Sequence, residues 1–193
     1  MIIVKNRDNI EQWIVYHTTQ GATKYALLNT TGVFNTSSGA WNNTEPTSSV
    51  ITLGGGGFGT NVSSNAMIMY AFAEVEGFSK FGKYTGNGST NGPFIWCGFK
   101  PAFILVKEIT AARDWQVWDS VRSPVNVAND LLFPNASLAE GVNDPNNGVD
   151  IIANGFKIRG SGSGCNQSSN TYIFMAFAEH PFGGSNVAPV PAR

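Results

Sequence analysis

Ile2-Ile-Val-Lys-Asn-Arg-Asp-Asn-Ile-Glu-Gln-Trp-Ile-Val-Tyr-His17 has a counterpart about 100 residues later, Ile104-Leu-Val-Lys-Glu-Ile-Thr-Ala-Ala-Arg-Asp-Trp-Gln-Val-Trp-Asp119. In both stretches a lysine ends an apolar run and a tryptophan follows eight residues after that lysine. A period of this length is that of a whole domain rather than of a solenoid turn. The stretch therefore predicts two related domains in tandem. Such a duplication is more typical of a binding or building module than of a catalytic one.

A second pair of matching stretches closes each copy, Met67-Ile-Met-Tyr-Ala-Phe-Ala-Glu74 and Tyr172-Ile-Phe-Met-Ala-Phe-Ala-Glu179. Short runs rich in β-branched and aromatic residues, bounded by polar turns, indicate strands, and helix signals are almost absent. The sequence predicts an all-β fold of two antiparallel β-sandwich repeats. Strands are expected at 2–5, 12–16, 26–29, 50–53, 67–73, 94–99, 103–107, 115–119, 131–133, 149–152, 156–159 and 172–178.

The domain boundaries follow from the repeat. Residues 1–78 form the first repeat and 79–182 the second, joined at about 78–84, and the Gly/Pro-rich 183–193 forms an extended tail. The second copy has about 20 residues ahead of its Ile-Leu-Val-Lys strand, whereas the first copy begins at the matching strand. The first repeat should therefore lack its opening strand and expose unpaired main-chain groups. Either the chain is the end of a longer polypeptide or another subunit supplies the strand.

The composition bounds the function. Of 193 residues, 42% are hydrophobic and only 13% are charged, so the polar surface is built from Asn, Ser, Thr and Gly, as is typical of extracellular β-proteins and fibres. With a net charge of −1 and no Lys/Arg run, nucleic-acid binding is not expected. No apolar run reaches the length of a membrane span, so no membrane insertion is expected. Cys97 and Cys165 are too few for a disulfide framework or a zinc site and are interpreted as free thiols.

Two acidic residues offer the best candidate for catalysis. Glu74 and Glu76 are two apart on or just after a strand, so their carboxylates could share one face, as the paired acids of a glycan-degrading enzyme do. The second copy keeps Glu179 but has Pro181 where the second acid would be. The alternative is that Glu74 and Glu76 lie at a solvent-exposed strand end and have no catalytic role. No catalytic residue is assigned.

Trp41 is a large aromatic residue within the polar stretch Ser38-Gly-Ala-Trp-Asn-Asn-Thr44. If exposed, it could stack on a sugar ring or anchor a neighbouring subunit, and Tyr16 and His17 could serve the same purpose. The alternative is local packing.

The segment Asp144-Pro-Asn-Asn-Gly-Val-Asp150 contains oxygen ligands that suit calcium, from Asp144, Asn146 and Asp150. Its Gly148 is one place early for an EF-hand loop. Calcium is the only cofactor that the sequence suggests, and no other metal site is predicted.

Several motifs together resemble a module of phage and prophage tail and tail-fibre proteins. The matching segments are Tyr84-Thr-Gly-Asn-Gly88, Gly98-Phe-Lys-Pro-Ala-Phe-Ile-Leu-Val-Lys107, Asp114-Trp115, Asn154-Gly-Phe156, Ala176-Phe-Ala-Glu179, Trp13-Ile-Val-Tyr-His17, Gly21-Ala-Thr-Lys-Tyr25, Trp41-Asn-Asn-Thr-Glu-Pro-Thr-Ser-Ser49 and Phe72-Ala-Glu-Val-Glu-Gly-Phe-Ser-Lys-Phe-Gly82. In that family the first copy usually carries its own Tyr-Thr-Gly-Asn-Gly opening, which this chain does not have.

The resemblance implies concanavalin-like or jelly-roll-like sandwiches and a component of a virion appendage without a defined active site. The leading hypothesis is a non-enzymatic structural and adhesion component of an extracellular phage particle, in a tail fibre or a decoration. It would contact other virion proteins, form a homo-oligomer (a trimer is usual for fibres) and touch a host-surface glycan. The alternative is a glycan-degrading enzyme on the same fold that uses Glu74 and Glu76.

Overall fold

The computed structural model describes residues 1–181, which divide into two compact units, Met1–Phe72 and a second unit that begins at Ala73. The predicted tail, 183–193, lies outside the described residues.

Within 1–181 the helices are short: α1 (Ser38–Trp41), a 3-10 helix (Gly56–Phe58) and α2 (Ser163–Asn166). The all-β prediction is confirmed. The strands are β1 (Ile2–Asn6), β2 (Ile14–Tyr16), β3 (Lys24–Leu27), β4 (Asn35–Thr36), β5 (Met67–Ala71), β6 (Ser79–Thr85), β7 (Phe94–Trp96), β8 (Pro101–Glu108), β9 (Trp115–Asp119), β10 (Val149–Ile152), β11 (Gly155–Ile158) and β12 (Thr171–Ala178).

The first unit is built on one antiparallel sheet in the order β4-β3-β2-β1-β5. The prediction of a second strand layer here is not met, because α1 and the irregular segment 50–53 cover the core face instead. Ile51 and Leu53 pack against the core that contains Ile2, Val4 and Trp41. The predicted strand at 50–53 is therefore wrong: Ile51 and Leu53 are partly buried and Val50 is exposed, but the main chain of this segment joins no ladder among the described residues.

The second unit has two antiparallel sheets, β6-β12-β8-β9 and β10-β11-β7. They share one core, in which Phe156 of β11 meets Phe174 of β12 edge to face at 5.5 Å between ring centroids. Trp118 and Tyr172 are among the largest side chains that this core buries completely. This unit is thus a two-layer β structure of the kind predicted.

The segment predicted to join the repeats is instead strand β6, which pairs with β12 along its whole length. An edge strand is held by main-chain hydrogen bonds on one side only and tolerates lysines, here Lys80 and Lys83, which protect the outer edge. Gly82 lies under the ring of Phe174, where a Cβ would come within 2.6 Å of it. The polar residues and the glycine therefore mark an edge strand rather than a linker.

Three adjacent strands of each unit have the same pairing register. β1 lies between β2 and β5 in the first unit, and β8 lies between β9 and β12 in the second. The internal repeat of the sequence is thus a structural repeat of three strands. Equivalent triplets across the sheets are Val15–Ile3–Tyr70 and Val117–Leu105–Met175, and Tyr16–Ile2–Ala71 and Trp118–Ile104–Ala176.

Within residues 1–181, none of the helices has the length and apolar character needed to cross a bilayer.

Candidate functional site

The outer edge of β5 is the candidate site in the first unit. Main-chain bonds from Phe72 N to Met1 O and from Arg7 N to Ala66 O, both 2.9 Å, flank its pairing with β1. In an antiparallel pair these bonds alternate along the strand, so Met67, Met69 and Ala71 turn their N–H and C=O groups away from β1. No strand of the described part of the chain pairs with that edge.

The second unit shows the same position filled. β12 is equivalent to β5, and its corresponding edge is covered by β6. The covering continues beyond the strand, where Gly86 N donates to Asn170 O at 2.8 Å. The open edge of β5 is therefore the place that a β6 equivalent would take.

Because no described strand pairs with the outer edge of β5, apolar side chains of β5 are accessible to solvent. Met69 is 37% exposed, whereas the equivalent Phe174 is 4% exposed. Tyr70 is also exposed and stacks on Trp13, with ring centroids 6.5 Å apart. β5 contains no charged residue and no proline, the usual protection of an edge strand against pairing. This edge thus combines unpaired main-chain groups with apolar surface.

A second candidate is an exposed aromatic pair on β7, at the edge of the three-stranded sheet. Phe94 and Trp96 point outward, while Ile95 between them enters the core. Trp96 is 58% exposed, and Lys80 Nζ lies 5.7 Å from the centroid of its ring. Lys80 also donates to Glu74 at 2.5 Å. Sequence reasoning did not single out Trp96, although the alternation of Phe94-Ile-Trp96 at a strand edge was a usable signal.

Trp41, Tyr16 and His17 are all buried, so none of them has the exposure on which the contact hypothesis was conditional. Trp41 packs in the core, in edge-to-face contact with Tyr16 at 5.8 Å. The local-packing alternative for Trp41 is confirmed. The burial follows from the docking of α1, because Gly54 lies directly on its backbone and donates from its N–H to Ala40 O at 2.9 Å.

Tyr16 and His17 are held by polar contacts in the same unit. The Tyr16 hydroxyl donates to Glu45 Oε2 at 2.7 Å, and burial together with Glu45 raises the pKa of Tyr16 to about 12. His17 Nδ1 lies 2.9 Å from Thr19 Oγ1. Both contacts fix local structure rather than present a group to a ligand.

Glu74 and Glu76, the candidate acid pair, both lie after strand β5 rather than on it. Strand β5 ends at Ala71, and a tight turn after Val75 leads into β6, with Ser79 N donating to Val75 O at 2.9 Å. Glu74 is held by Lys80, and Glu76 lies in the turn. The two carboxylates therefore do not share a strand face.

The carboxylates of two predicted calcium ligands, Asp144 and Asp150, are engaged in protein contacts. Asp144 Oδ1 accepts from Asn146 N at 2.8 Å, and Asp144 Oδ2 accepts from Asn147 Nδ2 at 2.9 Å. Asp150 pairs with Arg159 at 3.3 Å. In residues 1–181 no group of three or more His, Cys, Asp or Glu side chains is arranged to hold a metal. Asp144 and Arg159 also line a shallow cavity of about 300 Å³.

The Tyr84-Thr-Gly-Asn-Gly88 motif has a structural task. The Tyr84 hydroxyl donates to Cys165 O at 2.8 Å, and Asn87 N donates to Oδ1 of the buried Asn166 at 2.9 Å. Asn166 Nδ2 in turn donates to Ser89 O at 2.7 Å and to Gly160 O at 2.9 Å. The motif thus connects the end of β6 to α2 through Asn166. The sequence alone gave no indication of this role of Asn166.

Comparison with known proteins gives one match. The model of a family described as "Domain of unknown function (DUF7483)" covers residues 1–181. No curated protein and no solved structure shows a significant match.

Proposed function

This chain belongs to the DUF7483 family of domains of unknown function, and we propose that it is a non-enzymatic structural and adhesion component of a phage virion, in a tail fibre or a decoration module. The observation that carries the proposal is the open edge of β5 at the position where the second unit has β6. A repeat that leaves an apolar strand edge unpaired is suited to completion by a neighbouring polypeptide. Such a protein acts by contact with other virion proteins.

The proposal includes the relationship of the two units as concanavalin-like or jelly-roll-like repeats. The equal registers of three adjacent strands in each unit support it. So does a hydrogen bond that both units make, from Trp13 N to Asn29 Oδ1 and from Trp115 N to Asn135 Oδ1.

Adhesion to a host-surface glycan is assigned to the exposed Trp96 rather than to Trp41. A solvent-facing tryptophan ring offers an apolar plane on which a sugar can stack, and Lys80 beside it can donate to sugar hydroxyls. This places the adhesive surface in the second unit and the assembly edge in the first.

Sedimentation analysis over a range of concentrations tests the assembly role. We expect a homo-oligomer, with a trimer favoured, because fibres are most often threefold. Immunolabelling of intact particles with an antibody to this chain should mark a tail fibre or the particle surface. A chain that is monomeric at every concentration and absent from purified particles would contradict the proposal.

The alternative, a glycan-degrading enzyme, is tested on the same preparations. Neither the wild-type chain nor a Glu76→Gln variant should release reducing sugar from a panel of bacterial surface polysaccharides. Turnover by the wild type that Glu76→Gln abolishes would support the enzyme instead.

A further inference from the structure

We propose that the open edge of β5 binds one antiparallel strand with the residue pattern of β6, supplied by another polypeptide. The inference deepens the proposed function, because it names the partner of the same edge. Its chemistry is that of an extended peptide that offers main-chain hydrogen bonds, an aromatic residue and a glycine at fixed positions.

The pairing of β6 with β12 supplies the template. Tyr84 lies opposite Tyr172, Gly82 opposite Phe174, and Lys80 opposite Ala176. Because β5 and β12 pair with their central strands in the same register, these positions map onto Met67, Met69 and Ala71. The bound strand should place an aromatic side chain opposite Met67, a glycine opposite Met69 and a long polar side chain opposite Ala71.

Each position fits what β5 presents. In the second unit the rings of Tyr84 and Tyr172 stack with centroids 5.0 Å apart. Met67 packs at the margin of the first core, where its thioether would meet an aromatic ring favourably. A glycine opposite Met69 leaves room for the methionine side chain to turn inward, as Gly82 leaves room for Phe174.

The main-chain hydrogen-bonding groups at the open edge of β5 also match those of a strand with the pattern of β6. Met67, Met69 and Ala71 each direct one N–H and one C=O toward the open edge. In β6 the residues that face β12 in this way are Lys80, Gly82 and Tyr84, whereas the N–H groups of Phe81 and Lys83 point away. The chain's own β6 is already paired with β12 over seven positions, so β6 itself is not available to this edge.

A labelled synthetic peptide with the sequence of residues 79–87, titrated with the full chain and followed by fluorescence anisotropy, tests the inference. We expect saturable binding, with slower amide exchange at 67–71 on addition of peptide. Met69→Pro and Ala71→Pro each remove an outward N–H without removing a bond to β1, and each should weaken binding at least tenfold. Far-UV circular dichroism checks that both variants keep the fold.

Two N-methylated peptides form a matched pair. Methylation at the Gly82 position removes a donor that faces the edge and should abolish binding, whereas methylation at the Lys83 position should leave binding unchanged. No binding of the parent peptide, or binding that neither proline variant weakens, would overturn the inference. So would oligomers of the chain in which β5 pairs with β5 of a second copy and excludes the peptide. An oligomer that persists in both proline variants would leave the proposed function in place and refute only this partner.

Discussion

The main-chain N–H of Trp115 donates a hydrogen bond to Oδ1 of Asn135 at 2.7 Å, and Asn135 Nδ2 donates to Asp114 Oδ1 at 2.6 Å. The first unit repeats both contacts. Trp13 N donates to Asn29 Oδ1 at 3.0 Å, and Asn29 Nδ2 donates to the residue before that tryptophan at 2.6 Å. One asparagine in each unit thus ties the start of the second repeat strand to the segment that follows it.

Asn135→Ala should destabilise the protein more than Asn29→Ala. Asn135 is partly buried, so its removal leaves the Trp115 N–H and Asp114 without their partner, at a cost of about 1–3 kcal/mol. Asn29 is exposed, and water can replace its contacts. Urea unfolding followed by tryptophan fluorescence should show a lower midpoint for Asn135→Ala. Equal midpoints for the two variants would show that burial does not set the strength of this contact.

The free energy of unfolding should depend on pH through Lys107. Burial lowers the pKa of Lys107 to about 8 from 10.5, while Nζ donates to Arg113 O at 2.7 Å. Between these two values the unfolded chain holds a proton that the folded chain has released, so the contribution of Lys107 to stability rises with pH. The stability difference between wild type and Lys107→Met should therefore grow in favour of wild type from pH 8 to 10.5. Other titrating groups are common to both proteins and cancel, and parallel stability curves would contradict the assignment.

The strands of the internal repeat could be predicted from sequence because their central members are buried on both faces. Ile2-Ile-Val4 and Ile104-Leu-Val106 are continuous apolar runs, and all six side chains are buried. The matching strand pairs follow the same repeat: β1 pairs with β2 and β5, and β8 pairs with β9 and β12.

Edge strands and long-range docking were not predictable in the same way. β6 is paired on one side only, so its composition need not be apolar, and Lys80 and Lys83 suggested a linker. The burial of Trp41 depends on Gly54, which packs on the backbone of α1 although it comes well after that helix in the sequence. The neighbours of Trp41 in the sequence are small or polar, and they do not show which segment covers its ring.

Cys97 and Cys165 should be inert toward thiol reagents in the native protein. Both are free and buried, and burial raises the pKa of each to about 12 from 9.0. Because the thiolate is the reactive form, their reaction with a disulfide reagent at pH 8 should be at least about 100-fold slower than that of free cysteine. In denaturant both should react at the rate of free cysteine. Fast reaction of one thiol in the native protein would show that its part of the second unit opens readily.

Trp96→Ala should abolish binding to a printed glycan array while leaving the fold intact. The ring is 58% exposed, so its removal creates no cavity, whereas a sugar stacked on it would lose its main apolar contact. Trp96→Phe keeps a smaller ring and should retain part of the binding. Val121→Ala changes an exposed apolar side chain of the second unit that lies outside β7, and it is the control that should bind as wild type does. Trp41→Ala would act differently, by removing a buried side chain and destabilising the first unit by about 3–5 kcal/mol. An array on which the wild-type chain binds nothing, or binding that survives Trp96→Ala, would remove Trp96 from the proposed adhesive surface.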